Sequence, residues 1–277
     1  NVATYIPQLA QVNPDLFGMS FCDVAGNVVS VGDADTQFCL QSCSKPLTYC
    51  VARMLRGDLV HKHVGYEPSG MAFNAHALNC DGLPHNPLIN SGAIMTASLI
   101  EPGLEPAERF DRVNDFYRRM GRAPIGFHNS VFLSEKRHAD RNMSLAWYMR
   151  ENDAFEGVPD PSAIQDHLDL YYQLCSVTVD CQVAAVMAAT LANGGVNPTT
   201  RDRVVDGPIV TDCQSLMYSC GMYDWSGQFA FTIGLPAKSG VSGCLMLVIP
   251  GVGGACVFSP RLDRNGNTVR GVRFCQE

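Results

Sequence analysis

Ser42 and Lys45, in the stretch Phe38-Cys-Leu-Gln-Ser42-Cys-Ser-Lys45-Pro46, are the residues whose types and spacing speak most directly of chemistry. Three positions apart on a helical turn, a hydroxyl and an amine share one side, so the amine can take the hydroxyl proton and leave a nucleophile. Pro46 suits the first turn of a helix, where its missing N–H is no loss, so Ser42 to Lys45 reads as a helix opening. A serine there lies at the positive end of the helix dipole and near free backbone N–H groups, which favour an oxyanion. Far along the chain, Pro236-Ala-Lys238-Ser239-Gly240-Val241 brings a second lysine next to a serine and a glycine. The chemistry that these groups could do together is acyl transfer through a serine ester.

A Ser-x-x-Lys early and a Lys-Ser-Gly late, in that order, resemble two of the three signatures of penicilloyl-serine hydrolases. Each alone arises by chance in a chain of this length. Other residues could join them. Glu135-Lys-Arg-His-Ala-Asp-Arg-Asn142 reads as a polar loop holding both charge signs. It is either simply solvated, or it offers Glu135 to an ammonium and Asn142 to a carboxylate or amide. Asn90, in Asn86-Pro-Leu-Ile-Asn90-Ser-Gly-Ala93, precedes small residues and reads as a cap or turn former. Tyr223 sits in the glycine-flanked Ser219-Cys-Gly-Met-Tyr-Asp-Trp-Ser-Gly227. It is a half-buried tyrosine or, beside a serine–lysine pair, a proton shuttle. Tyr171, in Asp169-Leu-Tyr-Tyr-Gln-Leu-Cys175, falls on an apolar helix and reads as core.

No metal site is expected. His61-Lys62-His63 has its histidines at i and i+2 with no carboxylate cluster, and no His-Glu-x-x-His occurs. Gly251-Val-Gly-Gly254 lacks both a Lys-Ser/Thr and a following helix, so it reads as a loop and not a phosphate cradle.

The elements that must position these groups show strands at both ends and helices between. Residues 16 to 33 predict a hairpin around Ala25-Gly26-Asn27. Phe229 to Ile233, Gly243 to Ile249 and Ala255 to Ser259 read as further strands. Helices are expected over Pro46 to Arg56, Glu105 to Met120 and Val183 to Asn193. The last has Thr178 or Asp180 as N-cap and Gly194-Gly195 as its stop. This pattern predicts an α+β fold, with one antiparallel sheet built from N- and C-terminal segments and a helical subdomain inserted between them. The expected organisation is a single catalytic domain over 1–277, with its sheet part over about 1–57 and 200–277 and its helical part over about 58–199.

Bulk properties narrow the class. The 277 residues are 46% apolar and 17% charged, which fits a packed core and not a disordered chain. The net charge of -7 and the absence of any basic run argue against nucleic acid. The longest apolar run, Cys244 to Pro250, is strand-sized and far too short to span a membrane. No leader is visible at Asn1. Twelve cysteines with no Cys-x-x-Cys read as free thiols in a reducing compartment.

Several long stretches resemble the serine-dependent glutaminases, L-glutamine amidohydrolases of the β-lactamase-like fold. They are Tyr5-Ile-Pro-Gln-Leu-Ala10, Phe38 to Pro46, Val64-Gly-Tyr-Glu-Pro-Ser-Gly70, and His85-Asn-Pro-Leu-Ile-Asn-Ser-Gly-Ala-Ile94. They continue with Asp140-Arg-Asn142, Tyr172-Gln-Leu-Cys-Ser176, Met187 to Gly195, Cys220 to Ala230, and Leu235 to Val241. The Gln-Ser-Cys-x-Lys-Pro wording is similar to that of the animal kidney and liver types. The resemblance implies Ser42 as nucleophile, Lys45 as its base, Tyr223 as a proton relay and Tyr5 beside the serine. It implies Asn90, Glu135, Asn142 and Tyr171 as holders of glutamine, and the N–H groups of Val241 and Ser42 as the oxyanion hole. It further implies no metal or organic cofactor and a homo-oligomer, dimer or tetramer. The expected compartment is a reducing one inside the cell: the mitochondrial matrix for an animal-type source, otherwise the cytoplasm. The family usually continues beyond both ends of this chain, so a core domain is expected, with Tyr5 close to an end that could fray. Residues 149–165 carry no matching motif.

Two other readings stand beside this one. A related serine acyl-enzyme could act on another amide or a β-lactam, although no Ser-Asp-Asn-type second motif is evident. A catalytically dead scaffold would lack Ser42, Lys45 or Tyr223, and all three are present.

Overall fold

The computed structural model describes residues 1–122, 125–155 and 163–277. The unmatched stretch 149–165 is thus described only at its two ends. The chain opens with one helical turn, α1 (Pro7–Ala10), a hairpin of β1 (Gly18–Asp23) and β2 (Val28–Gly32), and a short β3 (Phe38–Cys39). Then come α2 (Ser44–Arg56), α3 (Asn90–Ser98), α4 (Pro106–Met120), a short β4 (Gly126–Phe127), α5 (Asn129–Arg137) and α6 (Asp140–Glu151). α7 (Ile164–Cys175), β5 (Val177–Val179), α8 (Cys181–Ala192), α9 (Gly207–Cys220) and α10 (Ser226–Thr232) follow. The chain closes with β6 (Ala237–Ser239), β7 (Cys244–Ile249), β8 (Gly253–Phe258) and α11 (Val269–Gln276).

The main sheet has the order β2-β1-β8-β7-β6 and is antiparallel throughout. The two ends of the chain therefore build it together, as the pattern of strands predicts. Its hairpin turns because Asp23 accepts both the backbone N–H and the side-chain amide of Asn27, each at 2.8 Å, and because Gly26 takes φ +95°. β7 reads as a continuous apolar run because both faces of the sheet are covered. Cys244, Met246 and Val248 enter the main core, whereas Leu245 and Leu247 enter a second one with Phe229 and Met222. A smaller sheet, β3-β5-β4, ties the segment before Ser42 to the end of α7.

α8 lies on the main sheet, packed against β8 and β1. Its alanines let it come so close that a Cβ on Gly254 would collide with the backbone of Ala188 and Ala189. Asp180, and not Thr178, caps it, accepting the Val183 N–H at 2.9 Å. α2 is buried from Ser44 to Arg53 and touches α3, α4, α7 and α9. Truncating a fully buried residue of this helix such as Leu47 to alanine should cost about 2–5 kcal/mol.

Two expectations are corrected. Phe229 to Ile233 is not a strand but the body and end of α10. Trp225, Phe229 and Ile233 recur every four residues on one face and pack against the second core, while Phe231 points to solvent. The aromatic composition suggested a strand, and the spacing that decided the outcome was helical. Nor is Glu135 to Asn142 a loop. Glu135 lies in the last turns of α5 and Asn142 in the first turn of α6, with a brief link between the two helices.

Candidate active site

Ser42 stands in a single 3₁₀ turn, Gln41–Cys43, that runs into α2 two residues later. The helix opening inferred from Pro46 is thus present, with the serine just ahead of it. Gln41 takes φ +49°, a left-handed conformation that a non-glycine residue adopts at a cost of about 1–3 kcal/mol. Tyr223 is strained in the same way, at φ +55°. The Lys238 strand reaches this turn because Gly240 has no side chain. A Cβ there would sit 2.8 Å from the Leu40 carbonyl oxygen. Its neighbour Val241 is thereby placed beside Ser42.

One cavity of about 360 Å³ gathers residues from the whole chain. Tyr5, Ser42, Asn90, Glu135, Asn142, Tyr171 and Val241, each singled out from the sequence, all line it. Lys45 does not reach the wall. It lies beneath, 1% exposed, and its Nζ donates to Asn90 Oδ1 at 2.7 Å. Asn90 in turn donates from Nδ2 to Asn142 Oδ1 at 3.0 Å. Asn90 is therefore not a turn former: it opens α3, and Asn86 makes the turn by accepting the Leu88 N–H. Tyr223 borders a second cavity of about 370 Å³. Phe73 lines both cavities and packs its ring 4.9 Å from that of Tyr223. Tyr171 is buried, as a core residue would be, yet its ring also forms part of the cavity wall.

Tyr5 is well anchored. Ile6 is fully buried in a cluster with Leu9, Cys39 and Val131, and the Leu262 N–H donates to the Asn1 carbonyl at 2.9 Å. The tyrosine ring is partly open to solvent, but its hydroxyl sinks onto Glu135 Oε1, donating at 2.6 Å. Gln41 Nε2 donates to the same oxygen at 3.0 Å.

The electrostatics separate the ionisable groups. Burial, and then the charge of Lys238, bring the Lys45 amine down to about 7. Lys238 is itself fully buried, and burial takes it down to about 8. Its Nζ donates to the Ser239 carbonyl at 2.7 Å and sits 4.4 Å above the Tyr223 ring. Burial pushes the Tyr223 phenol well up, with the Ser42 hydroxyl beside it pulling the other way. The phenol is thus a proton donor at neutral pH and not a base. Burial raises Glu135, while the bonds from Tyr5 and Gln41 and the nearby His138 and Lys45 pull it back.

Sequence reasoning missed Gln41, Phe73, Asn74, His138, Arg141 and Cys175, all of which line the Ser42 cavity. Gln41 was in view, directly before the serine, but nothing local ties it to a carboxylate 94 residues away. Elsewhere, His61 accepts from Tyr49 and donates to the Val64 carbonyl. Among the described residues no group of three or more His, Cys, Asp or Glu is placed to hold a metal ion. The twelve cysteines are all unbridged, and most are buried. No helix among the described residues is long and apolar enough to cross a membrane.

An antiparallel sheet from both ends of the chain, with a helical part carrying Asn90, Glu135 and Asn142 over a serine turn, defines the β-lactamase-like α+β class. Over residues 1–277 the chain matches the family model described as Glutaminase, and it belongs to that family. It is 54% identical to "Putative glutaminase 3" of Caenorhabditis elegans, over all of this chain and 47% of that protein. It is 51% identical to "Glutaminase liver isoform, mitochondrial" of Mus musculus, over all of this chain and 46% of that protein. The chain thus spans about half the length of these animal relatives. The "Glutaminase" of Nostoc is 47% identical and is covered over 81% of its length. The solved structure "Probable glutaminase ybaS" superposes with a TM-score of 0.94 at 35% identity, covering 100% of this chain and 88% of that one.

Proposed function

We propose that this chain hydrolyses L-glutamine to L-glutamate and ammonia through a γ-glutamyl ester on Ser42. The observation that carries the reading is one small cavity in which Ser42 faces a buried carboxylate and two asparagine amides, above a lysine that burial brings near neutrality. Glutamine is a zwitterion with a distal amide. Glu135 offers the anion for its ammonium, and Asn90, Asn142 and Tyr171 offer polar partners for the rest. The family membership supports the same substrate, and the solved relative titled "Crystal Structure Analysis of Mglu in its glutamate form" superposes over all of this chain with a TM-score of 0.91 at 36% identity.

In this mechanism neutral Lys45 takes the Ser42 proton as Oγ attacks the amide carbon. The tetrahedral oxyanion is held by the N–H groups of Ser42 and Val241. The proton now on Lys45 passes by way of Tyr223, which is protonated and beside Ser42, to the departing ammonia, and the amine is neutral again. Water then attacks the ester, Lys45 again serving as base, and glutamate leaves. Every step uses groups of the chain itself, with no metal or organic cofactor. We infer further that the protein is a homo-oligomer, dimer or tetramer, on the family resemblance. Its many unbridged cysteines suit a reducing compartment, and the mouse relative's name suits the mitochondrial matrix.

The test is ammonia release from L-glutamine by the wild type and by Ser42→Ala, with L-asparagine in parallel. Release from glutamine that vanishes in a folded Ser42→Ala protein is expected. A Ser42→Ala protein that keeps most of the activity would sink the mechanism. Acylation by a penicillin without glutamine turnover would move the reading to another serine acyl-enzyme.

A further inference from the structure

Resting on the glutaminase reading, we propose that the second cavity, behind Tyr223, is the passage by which the leaving ammonia departs and by which water, or another small amine, reaches the γ-glutamyl ester. This cavity has a volume of about 370 Å³ and lies back to back with the Ser42 cavity. The partition between them is thin. Phe73 lines both cavities, and Ile89 lines the second while its neighbour Asn90 lines the first. Tyr223 completes the partition: it lines the second cavity, packs its ring 4.9 Å from that of Phe73, and has the Ser42 hydroxyl beside its own. Phe73 is only half-buried, so its ring is not locked into a core.

The chemistry decides the side by which each product leaves. In the proposed mechanism the γ-nitrogen takes its proton from Tyr223, so ammonia forms at the partition. The glutamyl group, still esterified to Ser42, then fills the way out past Glu135 and Asn142. Water must attack the ester carbon from the position that the nitrogen has left, because the same two N–H groups hold the oxyanion in both steps. The second cavity, at about 370 Å³, has room for on the order of ten waters next to that position. Charge also separates the two cavities. In the Ser42 cavity Glu135 is taken up by the substrate's own ammonium, and Arg141 repels a second one. Among the described residues lining the second cavity there is no Lys, Arg or His, and the exposed Asp224 supplies a carboxylate. Ammonia becomes ammonium on meeting water, and that anion draws it outward.

Hydroxylamine is the probe for this passage. Its nitrogen attacks the ester carbon, the bond to Ser42 Oγ breaks, the amine proton passes by way of Lys45 to Oγ, and γ-glutamyl hydroxamate leaves in place of glutamate. Gly227 lines the cavity from α10, and a Cβ there would meet no atom within 4 Å, so a side chain can grow into the space. The experiment measures hydroxamate and glutamate formed from L-glutamine and hydroxylamine by the wild type, Gly227→Ala, Gly227→Leu and Gly227→Phe. The ratio of hydroxamate to glutamate should fall with side-chain size, by about fivefold or more in Gly227→Phe, because the larger nucleophile is excluded before water. Calorimetry on the same series carrying Ser42→Ala should find L-glutamine affinity within about twofold of the Ser42→Ala parent, since the α5–α6 wall is untouched. Ser219→Leu, which narrows the same cavity from α9, should lower the ratio as well and serves if Gly227→Phe does not fold. An unchanged ratio in the folded variants would overturn the passage alone, as would hydrolysis with no hydroxamate in the wild type. Equal loss of both products together with weakened L-glutamine binding would make this wall merely structural and overturn it too. No ammonia from L-glutamine in the unaltered protein would bring down the glutaminase reading and the passage with it.

Discussion

Lys45 and Glu135 are both buried ionisable residues within the same site, and they are treated in opposite ways. Lys45 has one neutral acceptor, Asn90, and a second lysine whose charge works against its own. Glu135 has two donors on one oxygen and a histidine nearby. Burial disfavours the charge of each. For the lysine nothing sufficient opposes it, so the amine is poised to lose its proton and act as a base. For the carboxylate the hydrogen bonds hold the charge in place, ready to pair with an ammonium. Desolvation thus makes the reactive group, and compensated desolvation makes the recognising one.

The sharpest way to break this comparison is to remove the base. Lys45→Gln should lower kcat by about 10³-fold with the fold kept, read by ammonia release and circular dichroism. In the wild type, kcat/KM should climb with pH through about 7 as Lys45 becomes neutral, then level off. A flat profile between pH 6 and 8 would show that this amine is not the base. Next in size, Glu135→Gln should cost about 100-fold in kcat/KM, carried mainly by KM, because it removes an anion and leaves the shape.

A third test turns from activity to stability. Lys45 has a folded pKa of about 7, below its unfolded value near 10.4, so the unfolded chain binds more protons between those limits. Its burial penalty is full below pH 7 and disappears as pH rises toward 10. Lys45→Met should therefore stabilise the fold by about 2 kcal/mol at pH 7, with the gain shrinking in alkaline solution. Denaturant titrations of both proteins at pH 7 and 9.5 would show it. Smallest of all, Lys136→Ala removes a rim-side ion pair whose partners both reach solvent. It should cost less than about 1 kcal/mol and leave kcat unchanged.

How much of this was legible beforehand depends on distance along the chain. The hairpin around Ala25-Gly26-Asn27, Asp180 as one of two offered caps and the strand expected over Gly243 to Ile249 are local patterns, and the structure bears them out. Phe229 to Ile233 went wrong because short apolar runs carry both periods at once, and only the packing of Trp225, Phe229 and Ile233 on one core selects the helix. Glu135 to Asn142 reads as a loop from its charge, whereas α5 ends and α6 begins within it. α5 and α6 bring Glu135, His138, Arg141 and Asn142 of this stretch to the cavity, while Lys136 and Arg137 stay outside its lining.

By itself the sequence determined which groups could react and which local turns would hold them, since a motif of four residues dictates its own spacing. The resemblance across the chain added which distant residues belong with them. Only the tertiary structure decided their state. It set Gln41 against a carboxylate from α5, laid Tyr5 across 130 residues onto the same oxygen, and shut Lys45 and Lys238 away from water together. Protonation depends on the solvent and charge around a group, and those are supplied by residues that the chain brings near only when it folds.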